Sequence, residues 1–557
     1  MNAKVKSKKE KGKGDHSFLT FAFYLLLSLI SGVLMGLTVA PVGAWFLAWI
    51  ALAPLWVIVV QKSNSYLEVK QQKSFFLPFT SFGVRQSLMG ETPKTALAHF
   101  YLLPLLWGIG YHSVALFWIT GIHPMDWLGV SWWPSLAITV FCWGFISLWG
   151  GLFVTIWGAV MARLNQSKPW LRVLIGTALW CGLESLWSSG SLWWSSLAYT
   201  QSPHNLIILH LGQISGPNTV TAAIASINGL IAEAYLLSSA PRRFVNKYLT
   251  SATALFITLH LIGFYLYSQP IAQPSEAALK IGIIQGNIPN KIKVKPEGYR
   301  RAITGYTNGY VNLAAQGVNA VLTPEGALPI FERNFGDTPL ISAVQKKGVV
   351  IWVGAFGEKG RSYTNSLFTV NSKGETTSRY DKSKLVPLGE FIPFEEILGK
   401  LISRLSPLDE HQVHGAANQI FDTPFGRAIV GICYESAFPE IFRRQAAAGG
   451  QFILSSSNDA HYSAAMPFQH HAQDIMRAIE TDRWSARATN TGYSAFVDPH
   501  GRTLWISGYN TYETHAETIY RRQTQTLYVR WGDWLTPLLL GLGVVGWFVG
   551  RIQGSSN

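Results

Sequence analysis

Eight runs of mostly apolar residues punctuate this chain, at 18–36, 43–60, 99–120, 133–160, 172–190, 207–238, 249–268 and, far downstream, 534–550. Each is close to the roughly 20 residues that carry a helix across a bilayer. Between 270 and 530 the pattern changes. Apolar residues there gather in short β-branched bursts, at 281–284, 349–353, 428–433 and 452–454, which predict buried strands. Stretches with helical spacing lie between them, at 299–315, 339–347, 439–448 and 468–483. Strand and helix alternate as in a layered α/β domain. The pattern therefore predicts a basic tail (1–17), a seven-helix membrane domain (18–268), an α/β domain (269–530), and a last helix with its tail (531–557).

Composition agrees with a membrane protein: of 557 residues 48% are hydrophobic, only 14% are charged, and 22 are tryptophan. A formal charge of +14 would suit nucleic acid, but the placement of the basic residues argues against that partner. Six lysines fall in the first thirteen residues. Others lie in alternate loops: Lys62, Lys70, Lys73, Arg85 and Lys94, then Arg163, Lys168 and Arg172, then Arg242, Arg243 and Lys247. The intervening loops, 37–42, 121–132 and 191–206, hold no Lys or Arg. Because basic loops favour the cytoplasmic side, the amino terminus is predicted inside, residues 270–530 outside, and Arg551 inside again. The first run continues past Gly36 without a small-residue cleavage site, so it reads as a retained helix and not as a signal peptide.

Of three cysteines, Cys142 and Cys181 sit in apolar runs, as small buried hydrophobes do. Cys433 stands alone in the α/β block, either inert and buried or a thiol kept for reactivity. Three predicted strand ends there finish on reactive side chains: 320–325 on Glu325, 379–382 on Lys382 with Glu390 following, and 430–435 on Cys433, Tyr434 and Glu435. A carboxylate, an ammonium and a thiol supply the base, oxyanion stabiliser and nucleophile of covalent acyl transfer. No nucleotide-binding glycine loop occurs. His461, His470 and His471 lack zinc-ligand spacing and read as surface or packing residues, so neither metal nor cofactor is expected. Glu184, inside the fifth run, is a functional candidate or a snorkelling group, and Trp187, Trp193, Trp194 and Tyr199 read as an interfacial belt. The insert 391–421 carries apolar residues at helical spacing and is expected to be a membrane-facing lid.

Several of these segments together resemble the nitrilase superfamily and, within it, the apolipoprotein N-acyltransferases: 285–289 (QGNIP), Pro324-Glu325, Tyr380-Asp381-Lys382, 386–390 (VPLGE), Cys433-Tyr434-Glu435, 457–460 (SNDA), 477–480 (RAIE) and 487–492 (RATNTG). The resemblance implies an α-helical polytopic membrane domain joined to an αββα sandwich. It also implies Cys433 as nucleophile, Glu325 as base and Lys382 as oxyanion stabiliser. The Tyr434 backbone N–H would assist, with Glu390 and Glu435 orienting Lys382 and the site. A phospholipid acyl donor, a diacylglyceryl lipoprotein acceptor and a bacterial inner membrane follow from the same likeness; the sequence leaves the oligomeric state open, a monomer being expected. Departures from the family pattern, Val294, Thr323, Gly326 and His461, fall on substrate contacts and not on the triad. A membrane-tethered amidase, using water as acceptor, and a non-catalytic binding protein are the alternatives.

Overall fold

The protein is described by a computed structural model over residues 20–74, 93–164, 168–387, 389–391, 412–460 and 462–555. Each of the eight apolar runs holds a helix: α1 (Thr20–Gly36), α2 (Ala53–Ser74), α3 (Pro93–Ala115), α4 (Trp132–Arg163), α5 (Pro169–Ser189), α6 (Pro217–Leu236), α7 (Arg242–Tyr267) and a closing helix, Leu535–Ser555. Among the described residues, five segments are long and apolar enough to cross a membrane: Trp45–Ser63, Trp132–Arg163, Pro217–Leu236, Arg242–Tyr267 and Leu535–Gln553. The run 207–238 is not one helix. Gly216 adopts φ +74° and Pro217 removes a backbone donor, so two short turns, Leu206–Leu209 and Gly212–Ser215, precede α6.

Indole rings fill the helical core. Trp56 meets Trp157 at 5.4 Å between centroids, and Trp180 meets Trp157 at 5.5 Å and Trp107 at 5.9 Å. Where backbones must approach, glycine replaces bulk: a Cβ on Gly108 of α3 would lie 2.6 Å from the Gly151 Cα of α4. Gly108→Val is therefore expected to wedge these helices apart. The expected result is a melting temperature several degrees lower in detergent, consistent with the roughly 1–3 kcal/mol cost of overpacking. An unchanged melt would show that the α3–α4 contact is loose enough to take the added bulk.

Residues 278–520 form the sandwich. One sheet joins β1 (Ala278–Gln285), β2 (Ala320–Leu322), β3 (Val350–Lys359), β4 (Ser362–Val370) and β5 (Thr376–Asp381). The second joins β6 (Phe421–Thr423), β7 (Gly426–Ile432), β8 (Ile453–Ser457), β9 (Ser485–Thr489), β10 (Ala495–Val497) and β11 (Thr503–Ile506), while β12 (Glu513–Tyr520) returns to pair antiparallel with β1. Side chains from the two inner faces, among them Ile281, Trp352, Val430, Phe452 and Phe496, make the central core. The helices α8 (Pro296–Ala315) and α9 (Pro339–Lys347) cover the first sheet through Tyr306, Tyr310, Leu340 and Val344. The second sheet carries α10 (Pro439–Ala447) and α11 (Ala465–Thr481). α11 lies between this sheet and the membrane helices, with Ile475, Met476 and Ile479 sharing the core of the helical domain. The sandwich is thus docked on the helices through one of its own outer layers. Most of the insert 391–421, and His461, lie outside the described residues.

Candidate active site

Strand β7, next to the edge strand of its sheet, ends at Ile432, and the chain enters a 3₁₀ turn, Cys433–Ala437. Cys433 has φ +50°, a left-handed conformation costing a side-chain-bearing residue of order 1–3 kcal/mol. Bonds on both sides hold it there. The His470 Nε2 on α11 donates to the Cys433 carbonyl at 2.8 Å, and Glu435 Oε2 accepts from the Ile432 N–H at 2.8 Å. The thiol is buried. Burial, and then the Glu325 carboxylate, push it well above the usual thiol range, while Lys382 pulls the other way.

Glu325 follows β2 and Lys382 follows β5, on the sheet opposite Cys433. Lys382 Nζ donates to Glu325 Oε1 and to Glu390 Oε1, both at 2.8 Å, and the ammonium is almost completely buried. Burial alone would lower its pKa, but the two carboxylates outweigh it and hold it well above the ordinary lysine value. A second group on the Glu325 carboxylate was not among the candidates drawn from the sequence. Asn365 Nδ2, from β4, donates to Glu325 Oε1 at 2.6 Å. With Lys382 and Asn365 both on Oε1, the second oxygen of Glu325 is the one left to meet a proton. Nothing in the strand's alternation of residues marks Asn365 out.

Glu390 thus touches Lys382 directly, whereas Glu435 acts one residue on. Its Oε1 accepts from the Ser383 N–H and Oγ, both at 2.6 Å, and Tyr380 reaches it at 3.2 Å. Glu435 therefore ties the turn bearing Cys433 to the segment bearing Lys382. Tyr434 points the other way. Its hydroxyl donates toward the carbonyls of Ser191 and Trp193, each at 2.7 Å, and its ring lies parallel to Trp194, 6.1 Å between centroids. This corrects the reading of an interfacial belt: Trp193, Trp194 and Tyr199 are buried in the joint between the two domains. The loop at 191–206 has a polar cap to pack under, so its aromatics close on Tyr434, Phe438 and Met466.

Glu184, the carboxylate of α5, lies in the same joint. It accepts from Trp180 Nε1 (3.1 Å), the Leu197 N–H (2.9 Å), Ser196 Oγ (2.8 Å) and Thr221 Oγ1 (2.9 Å), a full shell that fastens the loop to α5 and α6. Behind Cys433 a second buried network runs from His470 to Asp459 (3.1 Å), to Arg487 (3.1 Å) and on to Asp474 (2.5 Å). Cys433, Asp459 and His470 each bring a potential metal-ligating atom within 4.8 Å of one another. Both ring nitrogens of His470 already face protein acceptors, so the donor set does not fit a cation.

A sandwich with its thiol just past a strand end, facing a Glu–Lys pair, places this part of the molecule among the carbon–nitrogen hydrolases, whose family model matches residues 280–527. The helices narrow this, because residues 31–230 match the model described as the apolipoprotein N-acyltransferase N-terminal domain. The apolipoprotein N-acyltransferase of Nostoc sp. is 73% identical over 92% of this chain and 97% of its own length. That of Synechocystis sp. is 47% identical over 92% of this chain and 98% of its own. The chain belongs to the apolipoprotein N-acyltransferase family. Among solved structures, an amidase from Nesterenkonia sp. is similar over 47% of this chain and 95% of its own, at 19% identity and a TM-score of 0.35.

Proposed function

We propose that this chain transfers a fatty acyl group from a phospholipid, through a thioester on Cys433, to the α-amine of a diacylglyceryl-modified cysteine on a lipoprotein. The supporting observation is the buried Glu325–Lys382 pair set beside a thiol whose neighbouring residue, Tyr434, is built into the membrane domain. Glu325 takes the thiol proton, and the thiolate attacks the ester carbonyl. Lys382 and the Tyr434 N–H stabilise the charge that develops on oxygen. The carbon–oxygen bond breaks, and the lysophospholipid leaves with the proton from Glu325. The amine then attacks the thioester and gives its proton to Glu325; the carbon–sulfur bond breaks, the product departs as the amide, and Glu325 returns the proton to the Cys433 thiolate. Glu390 and Glu435 hold Lys382 and its segment in register.

In this reading all eight helices span an inner membrane, with the amino terminus in the cytoplasm and the sandwich outside. Both substrates are lipid-anchored, so they reach the site by lateral diffusion, and membrane confinement replaces capture from solution. The apolar side chains Val386, Tyr462, Trp118 and Ile119, clustered with Tyr434, offer a wall for an acyl chain beside the thiol. Mass spectrometry of the full chain mixed with phosphatidylethanolamine vesicles tests the proposal. An acyl adduct on the Cys433 peptide, labile to hydroxylamine and passed on to a diacylated lipopeptide amine, is expected. Free fatty acid released without any amine acylation would replace the transferase with a hydrolase.

A further inference from the structure

The segment after β1 brings a second ammonium to the site, and none of the steps above uses it. Lys293 closes the short turn Asn290–Lys293, and its Nζ donates to the Glu325 carbonyl at 3.2 Å. It lies against Gly326, 3.3 Å from where a Cβ would stand. Glu325, Cys433 and Lys382 are its charged or titratable neighbours, and burial holds its pKa down at about 8. Lys382 is shared between two carboxylates. Lys293, by contrast, forms no ion pair among the described residues. An ammonium has three donors, and the Glu325 carbonyl takes one.

The surroundings of Lys293 point toward lipid. Lys291, two residues back, pairs at 2.8 Å with Asp126 in the connection between α3 and α4, which pins this segment over the membrane domain. The next residue, Val294, is 71% exposed, an apolar side chain turned outward at the lip of the site. A half-buried cation without a counter-ion, one strand end from the nucleophile and beside an exposed apolar residue, suits a ligand carrying one negative charge close to an acyl ester. In a glycerophospholipid the phosphodiester stands a single glycerol away from the ester carbonyl.

We propose that Lys293 binds the phosphodiester of the acyl donor, holding the head group at the lip while the ester carbonyl reaches Cys433. The name of the donor rests on the transferase reading; the binding of a phosphodiester does not. A lysine acts on phosphate as a point charge, so arginine should substitute for it and methionine should not.

The test uses hexadecylphosphocholine, a single-chain phosphodiester with no acyl ester to transfer, as a competitor for the full-length protein in detergent. Lys293→Met is expected to weaken its inhibition roughly tenfold, the loss of one charge-assisted hydrogen bond. It should lower kcat/KM for phosphatidylethanolamine relative to that for uncharged p-nitrophenyl palmitate by a similar factor. Lys293→Arg should restore both. Equal inhibition of the native and Lys293→Met proteins overturns the proposal. So does an equal loss with the charged and uncharged donors, which would make Lys293 part of the charge balance around the thiol. Failure of the transferase reading is separate: native protein would form no thioester with phospholipid, and the competitor binding would still be measurable.

Discussion

Cys433→Ala is expected to abolish the hydroxylamine-labile acyl-enzyme and to cut lipopeptide acylation by at least about four orders of magnitude, the scale seen when a nucleophile is removed from a covalent site. The substitution deletes one sulfur from a buried position and leaves the backbone able to keep φ +50°, since His470 and Glu435 grip the main chain and not the thiol. Folding should therefore be nearly unaffected, with a melting temperature within a few degrees of the native one. Single-turnover measurements with radiolabelled phospholipid separate the outcomes. Persistent label on the Cys433→Ala protein, removable by hydroxylamine, would move the nucleophile to another residue.

Lys382→Met should damage stability as well as rate. It leaves the Glu325 and Glu390 carboxylates buried around a vanished cation, and breaking a buried pair from one side costs about 3–5 kcal/mol. In the proposed mechanism the variant also loses an oxyanion donor, for an expected further drop of about two to three orders of magnitude in kcat. The pH dependence has a defined sign. In the native protein Lys382 is held above its ordinary value, so its contribution is complete below the unfolded lysine pKa of about 10.4 and is lost only as pH rises through the higher folded value. In the variant the two unpaired carboxylates are relieved by protonation, so stability should recover as pH falls. Thermal melts at pH 8 and pH 5 check this: the gap between native and variant should narrow at pH 5. A constant gap would mean that the carboxylates find another partner.

Much of this was legible in the residues because local chemistry and burial agree. The helix at 339–347 was readable to the residue, since Thr338 caps its start, Pro339 sits where no donor is needed and Gly348 takes φ +75° after its end. Glu325 and Cys433 stood out as candidates because each comes just after a short apolar burst, whereas Lys382 follows the polar strand Thr376–Asp381 and stood out through the Tyr380-Asp381-Lys382 motif. What the sequence hid depends on contacts between distant segments. Asn365 belongs to an ordinary alternating strand until Glu325, forty residues earlier, is folded against it. Trp193 and Trp194 carry the composition of a membrane surface, and only the docked sandwich turns them inward. Lys293 shows the same limit, because nothing local to 290–295 says that Glu325 and Cys433 will be its neighbours.

The hydroxyl of Tyr434 rests on the main chain of Ser191 and Trp193. The residue after Cys433 is therefore anchored in a loop belonging to the other half of the molecule. The sandwich is not a detachable cartridge: expressed alone, or grafted onto a foreign anchor, it would keep Glu325, Lys382 and Cys433 and lack a fixed seat for the turn that carries Cys433. Attempts to make a soluble version should carry the 191–199 loop along, and evolution of the two halves should be yoked at that seam.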